Sequence, residues 1–355
     1  MLNIDVIRPT ELSDQQAAAW REIQDQNSLL SSPFFSPEFA CAVAQARDDA
    51  FVGIIRRNSD ILAFFPFQRR GRGALPIGAA ICDYQGLIGR EINSFSAREL
   101  LEGCHLNVVD FNHVPAAQKL FRDHSTTISH SPYIDLSAGY SKYIERRKAQ
   151  GVSEVATTLR KQRKLEREVG AIRFVPDDDS DVAWQNLIAW KNAQYRSTNV
   201  VEVLSRPWVV GTLAAIRKMK TAQFSGMLSS LYAGDELLAV HFGMRSSSVW
   251  HYWFPAYNAD YNRYSPGLLL LLRMAEHGAS MGLRMIDLGR GRARYKNAFA
   301  DAEIELCEGS IERPLSPSGV LRVTRKMVER SWGALPVGSA RNWPRRVFNR
   351  LLWRV

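Results

Sequence analysis

The sequence predicts a mixed α/β fold: two tandem units of similar design, followed by a basic C-terminal tail. Three observations carry that expectation. Two β-hairpin signals occur, each preceded by helical sequence. A β-α-β unit follows the second hairpin. The charge then changes abruptly at residue 313. A length of 355 residues exceeds one ordinary domain and fits two. A hydrophobic share of 46% with 23% charged residues provides a core and excludes a disordered chain. The expected divisions are 1–150, 151–312 and the tail 313–355.

In the first unit, Pro37 to Ala46 reads as a helix. The run Phe51 to Phe67, turned at Asn58-Ser59-Asp60, reads as a hairpin. In the second unit a helix over Arg206 to Met219 precedes a hairpin from Ser229 to Met244. Its turn is Ala233-Gly234-Asp235-Glu236, and a further strand runs from Val249 to Tyr257. Between the units, Thr157 to Val169 forms a strongly basic helix stopped by Gly170. Two readings apply to it: a solvated face paired with nearby Glu, or a face turned toward a phosphate. The acidic run Asp177 to Asp181 is a surface turn and helix cap rather than a metal site, because no spacing there builds a coordination shell.

The chemistry concentrates between Val249 and Ala300. Pro255 cannot donate to a sheet ladder, so the strand must end or bulge there. Arg263-Tyr264-Ser265-Pro266-Gly267 then opens a helix reaching about Met281, with Ser265 as N-cap and Pro266 at the first turn. Gly267 lets a ligand approach the free N–H groups, and Arg263 adds a cation beside them. Gly282 to Gly289 reads as a turn and a strand parallel to the first. Asp287 and the loop Gly289-Arg290-Gly291 fall at its carboxyl end, where α/β sheets bind ligands. A short helix from Tyr295-Lys296 to Phe299 follows.

This order of parts resembles the GNAT acetyltransferase superfamily. Within it, the chain is similar to the CelD/BcsL type of polysaccharide biosynthesis and, beyond that, to FemAB-type transferases with two tandem GNAT-like domains. The residues concerned are Tyr257 to Gly267, Gly282 to Ile286, Asp287-Leu-Gly-Arg-Gly291, Tyr295-Lys296 and Phe299. Fainter likenesses are Phe34-Phe35-Ser36-Pro37, Phe65-Pro66-Phe67, Asp83-Tyr84 and the basic helix. The resemblance spans most of residues 30 to 310 and implies acetyl-CoA, or another acyl-CoA, as co-substrate. By the same resemblance Trp253 and Phe254 supply backbone donors to the acyl carbonyl. Arg263, Ser265, Gly267 and Leu268 hold the pyrophosphate. Tyr295 is the general acid and Asp287 the group that deprotonates the amine. Asp83, Tyr84 and Lys296 line the acceptor site. The pattern departs at Pro266, where the family's phosphate loop has Gly, and at Arg292-Ala293-Arg294, where acids are usual. The second departure favours a more anionic acceptor.

Each assignment has a structural alternative. Asp287 can simply accept from the Gly289–Gly291 loop, and Tyr295 can be a core aromatic. His241 and His251 read as satisfied core histidines. No Ser-His-Asp or Cys-His nucleophile is legible, and no metal is expected. The acceptor class implied is a small-molecule or lipid-linked amino sugar. From Arg313 onward ten Arg or Lys residues face one acid, Glu329, so the tail supplies +9 of the net +10. Interleaved tryptophans suit an anionic membrane surface, a polysaccharide synthase or, through Arg341-Asn-Trp-Pro-Arg345, cyclic-di-GMP. The near-neutral remainder argues against DNA and against tRNA. Four scattered cysteines, no signal-like start and no long apolar run predict a cytoplasmic protein, at most peripheral to the inner membrane face. Rival readings are a FemAB-like tRNA-dependent aminoacyl transferase and a catalytically silent regulator of polysaccharide synthesis.

Overall fold

The computed structural model describes residues 2–90, 94–198, 200–291 and 293–313. The tail assignments, Arg292 and the Arg341–Arg345 motif therefore lie outside the described residues.

The chain builds the same series of elements twice. The first pass runs β1 (Leu2–Ile7), α1 (Asp14–Asp25), α2 (Pro37–Ala46), β2 (Ala50–Arg57), β3 (Asp60–Arg70), β4 (Gly73–Pro76) and β5 (Ile88–Gly89). It continues through α3 (Ala97–Gly103), β6 (Val108–Pro115), α4 (Lys119–Arg122) and β7 (Ser125–Asp135). Two connecting helices follow, α5 (Tyr140–Ala149) and the basic α6 (Ser153–Glu168). The second pass runs β8 (Ile172–Val175), α7 (Asp181–Ser197), α8 (Pro207–Arg217), β9 (Ser225–Ala233), β10 (Glu236–Arg245), β11 (Val249–His251) and β12 (Phe254–Tyr257). It closes with α9 (Pro266–Ser280), β13 (Met285–Asp287), α10 (Arg294–Phe299) and β14 (Ala302–Glu312).

All strands join one sheet, ordered β1-β2-β3-β4-β6-β14-β7-β13-β11-β10-β9-β8. Read from either edge the pattern is the same: three antiparallel pairings, one parallel, one antiparallel. The parallel pairs are β4·β6 and β11·β13. Each pass gives its last strand to the other: β7 pairs with β13, β14 pairs with β6, and β7 and β14 meet at the centre. The duplication is thus held together by strand exchange, which a hairpin-by-hairpin reading of the sequence does not show.

Side-chain alternation sorts the strands onto two faces. On one face α1, α2, α7 and α8 bury Trp20, Phe39, Leu187 and Leu213 against Ile54, Phe64, Leu228 and Phe242. On the other face α9 and α6 cover Leu231, Trp250, Ile134 and Ile286 in the second half. There α3 and α4 cover Phe65, Val109 and Phe111 in the first. Each such fully buried aliphatic or Phe side chain contributes roughly 1.5–3 kcal/mol. The hairpins and the helix Pro37–Ala46 fall where the sequence places them. The basic helix begins earlier than expected, at Ser153, and Val152 rather than Thr157 precedes its first turn. Ser180 caps α7 by accepting from the Ala183 N–H, as the acidic-turn reading requires. Among the described residues no group of His, Cys, Asp and Glu could hold a metal, and no helix is long and apolar enough to cross a membrane.

Candidate active site

The site forms where the second parallel pair splays. Val249, Trp250 and His251 run beside Met285, Ile286 and Asp287, and the last bond is Tyr252 N–H to Asp287 O at 2.7 Å. The strand then breaks at Tyr252-Trp253, and β12 resumes paired to β10 instead. The sequence places this break at Pro255. Pro255 lies two residues later, inside β12 opposite His241, and its carbonyl accepts from Lys191 Nζ at 3.1 Å. The result is a gap in the sheet at the carboxyl ends of β11 and β13.

At the base of the gap stands a buried ionic array. His251 Nε2 donates to Asp83 Oδ2 at 2.9 Å, and His251 Nδ1 lies 3.7 Å from Asp287 Oδ2. Asp287 Oδ1 accepts from Ser131 Oγ at 2.9 Å and from the Gly289 N–H at 2.8 Å. The loop-anchoring reading of Asp287 holds on Oδ1, while Oδ2 has no hydrogen-bond partner among the described residues. Gly289 has φ +71°, and a Cβ there would come within 2.9 Å of Asp83 Oδ2, so glycine is required. The Tyr84 hydroxyl, also without a partner, faces the same carboxylate.

The array draws on both halves. Asp83 and Tyr84 come from the loop after β4, Ser131 from the exchanged strand β7, and Phe34 packs edge-on to the His251 ring at 4.9 Å. His251 is buried as a core histidine would be, but its surroundings are ionic: the ring lies between two carboxylates. Burial opposes its charge, but Asp287 and Asp83 outweigh burial and raise it to about 9. Burial likewise opposes ionisation of Asp83 and Asp287; the His251 bond and charge hold Asp83 below the ordinary carboxylate range, and the His251 charge with the Gly289 N–H bond holds Asp287 there.

Around the gap, His241 is kept neutral by burial and by the nearby His251 charge. Its Nε2 accepts the Trp253 N–H at 3.0 Å, so this donor, assigned to an acyl carbonyl by resemblance, already has a partner. Phe254 is paired in β12. Burial lowers Lys191 to about 8 and raises Tyr295 to about 12. Lys296 Nζ donates to Gly289 O at 2.9 Å and Arg290 O at 2.8 Å, which ties it into the loop rather than leaving it open to a substrate.

The start of α9 departs in one respect from the sequence reading. Pro266 opens the helix as expected, but Ser265 is left-handed (φ 55°) and makes no side-chain cap. Its Oγ accepts instead from Lys161 Nζ of the basic helix at 2.7 Å. The Leu268 and Leu269 N–H groups bond to Ser265 O. Arg263 is 70% exposed and lies over the Tyr264 ring at 4.7 Å. The basic helix α6 thus brings Lys161 to the α9 N-terminus, while Lys164 pairs with Glu168 along the same helix at 3.7 Å.

The sequence of residues 153–297, which contains β11, β13, His251 and Asp287, matches the family model described as acetyltransferase (GNAT) domain. No curated protein matches the chain. Among solved structures, FemX is similar in fold with a TM-score of 0.59 at 8% identity, over 90% of this chain and 99% of that one. The C-terminal domain of a protein described as a lysylphosphatidylglycerol synthetase from Agrobacterium fabrum gives 0.51 at 13% identity, over 88% and 97%. A tandem GNAT protein from the clavulanic acid biosynthesis pathway gives 0.45 at 9% identity, over 89% and 100%. Residues 153–297 are thus similar to a GNAT acetyltransferase domain, and they lie within a duplicated α/β fold.

Proposed function

We propose that this protein transfers an acyl group, acetyl in the first instance, from acyl-CoA to the amine of an amino sugar in cell-envelope or exopolysaccharide synthesis. The observation that carries the reading is the paired arrangement at the splay: a gap between β11–β12 and β13, with a helix N-terminus and Lys161 at one end and the Asp83–His251–Asp287 array at the other. The pyrophosphate lies against the Gly267 end of α9 with Lys161 and Arg263, and the pantetheine arm enters the gap.

In the reaction the acceptor ammonium first gives one proton to solvent; the neutral amine nitrogen then attacks the thioester carbonyl, the C–N bond forms and the C–S bond breaks. Asp287 Oδ2, the unpaired oxygen, takes the proton leaving nitrogen. His251 stabilises the array by keeping its charge between the two carboxylates. The departing thiolate, ordinarily near 8.5, is protonated from the gap. Lys191, near 8, matches it better than Tyr295, near 12. Metal is not required for any of these steps. The FemAB-like reading gains nothing specific from the site. The silent-regulator reading is favoured by one observation, the occupied Trp253 N–H.

The test is release of free CoA thiol from acetyl-CoA with glucosamine as acceptor. Asp287→Asn is expected to lower kcat by roughly 10²- to 10⁴-fold, as loss of a general base does, while leaving acetyl-CoA binding unchanged. Thiol release at the wild-type rate in that variant would remove Asp287 from the mechanism.

A further inference from the structure

On the α1–α2 face of the sheet, a cleft of about 700 Å³ opens over the central strands. Its volume falls in the usual small-molecule range of about 300–1,000 Å³. The floor is β7, β11 and β13: Tyr133, Asp135, Val249, Met285 and Asp287 face it, while Ile134, Trp250 and Ile286 turn to the opposite core. Its walls are α1, the loop into α2 and the Ser246–Ser248 turn.

Four buried polar atoms of the lining residues have no hydrogen-bond partner among the described residues: Ser32 Oγ, Glu38 Oε2, and Tyr84 Oη and Asp287 Oδ2, which face each other. Ser32, Tyr84 and Asp287 are 5%, 2% and 1% exposed. Burying a polar group without a partner is costly, so their gathering in one cavity implies a ligand that satisfies them. The lining is rich in hydroxyls and amides. Its charges are Arg21 and Arg284 against Asp25, Glu38, Asp135 and Asp287, and Arg21 is already paired with Glu38 Oε1 at 2.7 Å. An anion is disfavoured there. A polyhydroxylated amine is favoured, its hydroxyls meeting Ser32 and Glu38 and its amine meeting Asp287 and Tyr84.

We propose that this cleft is the acceptor site, and that it takes the cationic, polyhydroxylated glucosamine unit of a sugar chain rather than an anionic, nucleotide-linked sugar. The proposal rests on the acyl-transfer reading, and it reverses the anionic preference that Arg292 and Arg294 suggest in the sequence. Arg294 is 94% exposed and lies 4.0 Å from Glu154 of α6, away from this cleft. The acceptor then reaches Asp287 Oδ2 from the α1–α2 face, while the acyl-CoA comes to the gap along α9. The first half of the chain, through Ser32, Glu38 and Tyr84, becomes the acceptor-recognising half.

The test is calorimetric titration of the full chain with a fully deacetylated β-1,4-glucosamine trisaccharide, without CoA. The N-acetylated trisaccharide and UDP-glucosamine are run beside it. Ser32→Ala removes an unpaired buried hydroxyl, so it should leave the melting temperature unchanged or higher, yet weaken trisaccharide binding by roughly three- to tenfold. Ser247→Trp, on the exposed part of the wall turn, should block binding. The N-acetylated and nucleotide-linked sugars should bind at least tenfold more weakly than the free amine. Equal binding to wild type, Ser32→Ala and Ser247→Trp would overturn the proposal, as would preference for UDP-glucosamine. Acetyl-CoA titration of the same samples separates the two readings. Trisaccharide binding lost on Ser247→Trp, without any acetyl-CoA binding, would defeat acyl transfer but keep the cleft; the converse would defeat the cleft alone.

Discussion

Replacing Asp83 with Asn removes one of the two charges that hold the His251 proton and keeps the side-chain shape. The bond to His251 is 2.9 Å long and the Asp83 side chain is 31% exposed. A hydrogen bond to a charged group is worth about 1.5–3 kcal/mol, and partial exposure places this one at the lower end. One pKa unit corresponds to 1.36 kcal/mol, so His251 should fall from about 9 to roughly 8 in Asp83→Asn. Loss of the 1%-exposed Asp287 should lower it further. The shift also fixes the sign of the pH dependence. The His251 value is raised above the ordinary 6.5, so protonation stabilises the fold. That contribution, about 3 kcal/mol, is fully present below 6.5 and is lost as pH rises through 9. In Asp83→Asn the loss should still begin near 6.5 but be complete about one pH unit earlier, with the contribution reduced to about 2 kcal/mol. Imidazole NMR titration of His251, with urea unfolding at pH 6 to 10, measures both. A wild-type His251 that titrates at or below 6.5, or an Asp83→Asn variant that still titrates near 9, would refute the ionic array.

Further perturbations address its surroundings. Lys161→Ala should weaken acetyl-CoA binding by about 1 to 2 kcal/mol, roughly 5- to 30-fold, with little change in melting temperature; unchanged affinity would separate the basic helix from the phosphate. His241→Ala leaves the Trp253 N–H without its acceptor, at a cost of about 1–3 kcal/mol in the free protein. If that N–H serves the acyl carbonyl, the preference for acetyl-CoA over CoA should rise in the variant; an unchanged ratio would exclude Trp253 as carbonyl donor.

Local order was legible because hairpins, caps and helix periods are written in neighbouring residues. Pro37 to Ala46, the Asn58 turn and the Pro266 helix start follow from sequence alone. The parallel pairing of Val249–His251 with Met285–Asp287 was also legible, and it sets His251 directly opposite Asp287. That register was the signal that could have moved His251 from core to site. What sequence could not show is long-range. Asp83 meets His251 across 168 positions and Ser131 meets Asp287 across 156. The second depends on the exchange of β7 and the first on the joining of the two halves, neither of which a local pattern encodes. Ser265 misled for a related reason: a serine before Pro-Gly reads as a cap, but Lys161 of another helix engages its hydroxyl.

The central claim, acyl-CoA bound at the α9 end of the sheet gap, is tested most directly by calorimetric titration with acetyl-CoA of wild type and Gly267→Glu. A Cβ at Gly267 meets only Tyr257 Cδ1, at 3.4 Å, so the fold accepts the substitution. The added carboxylate stands where the pyrophosphate would lie. At about 4 Å such repulsion costs about 1 kcal/mol in water and about 4 kcal/mol near a protein surface. Binding in wild type that weakens at least tenfold in Gly267→Glu, at an unchanged melting temperature, is the expected result. No binding in wild type, or equal binding in both proteins, would contradict it.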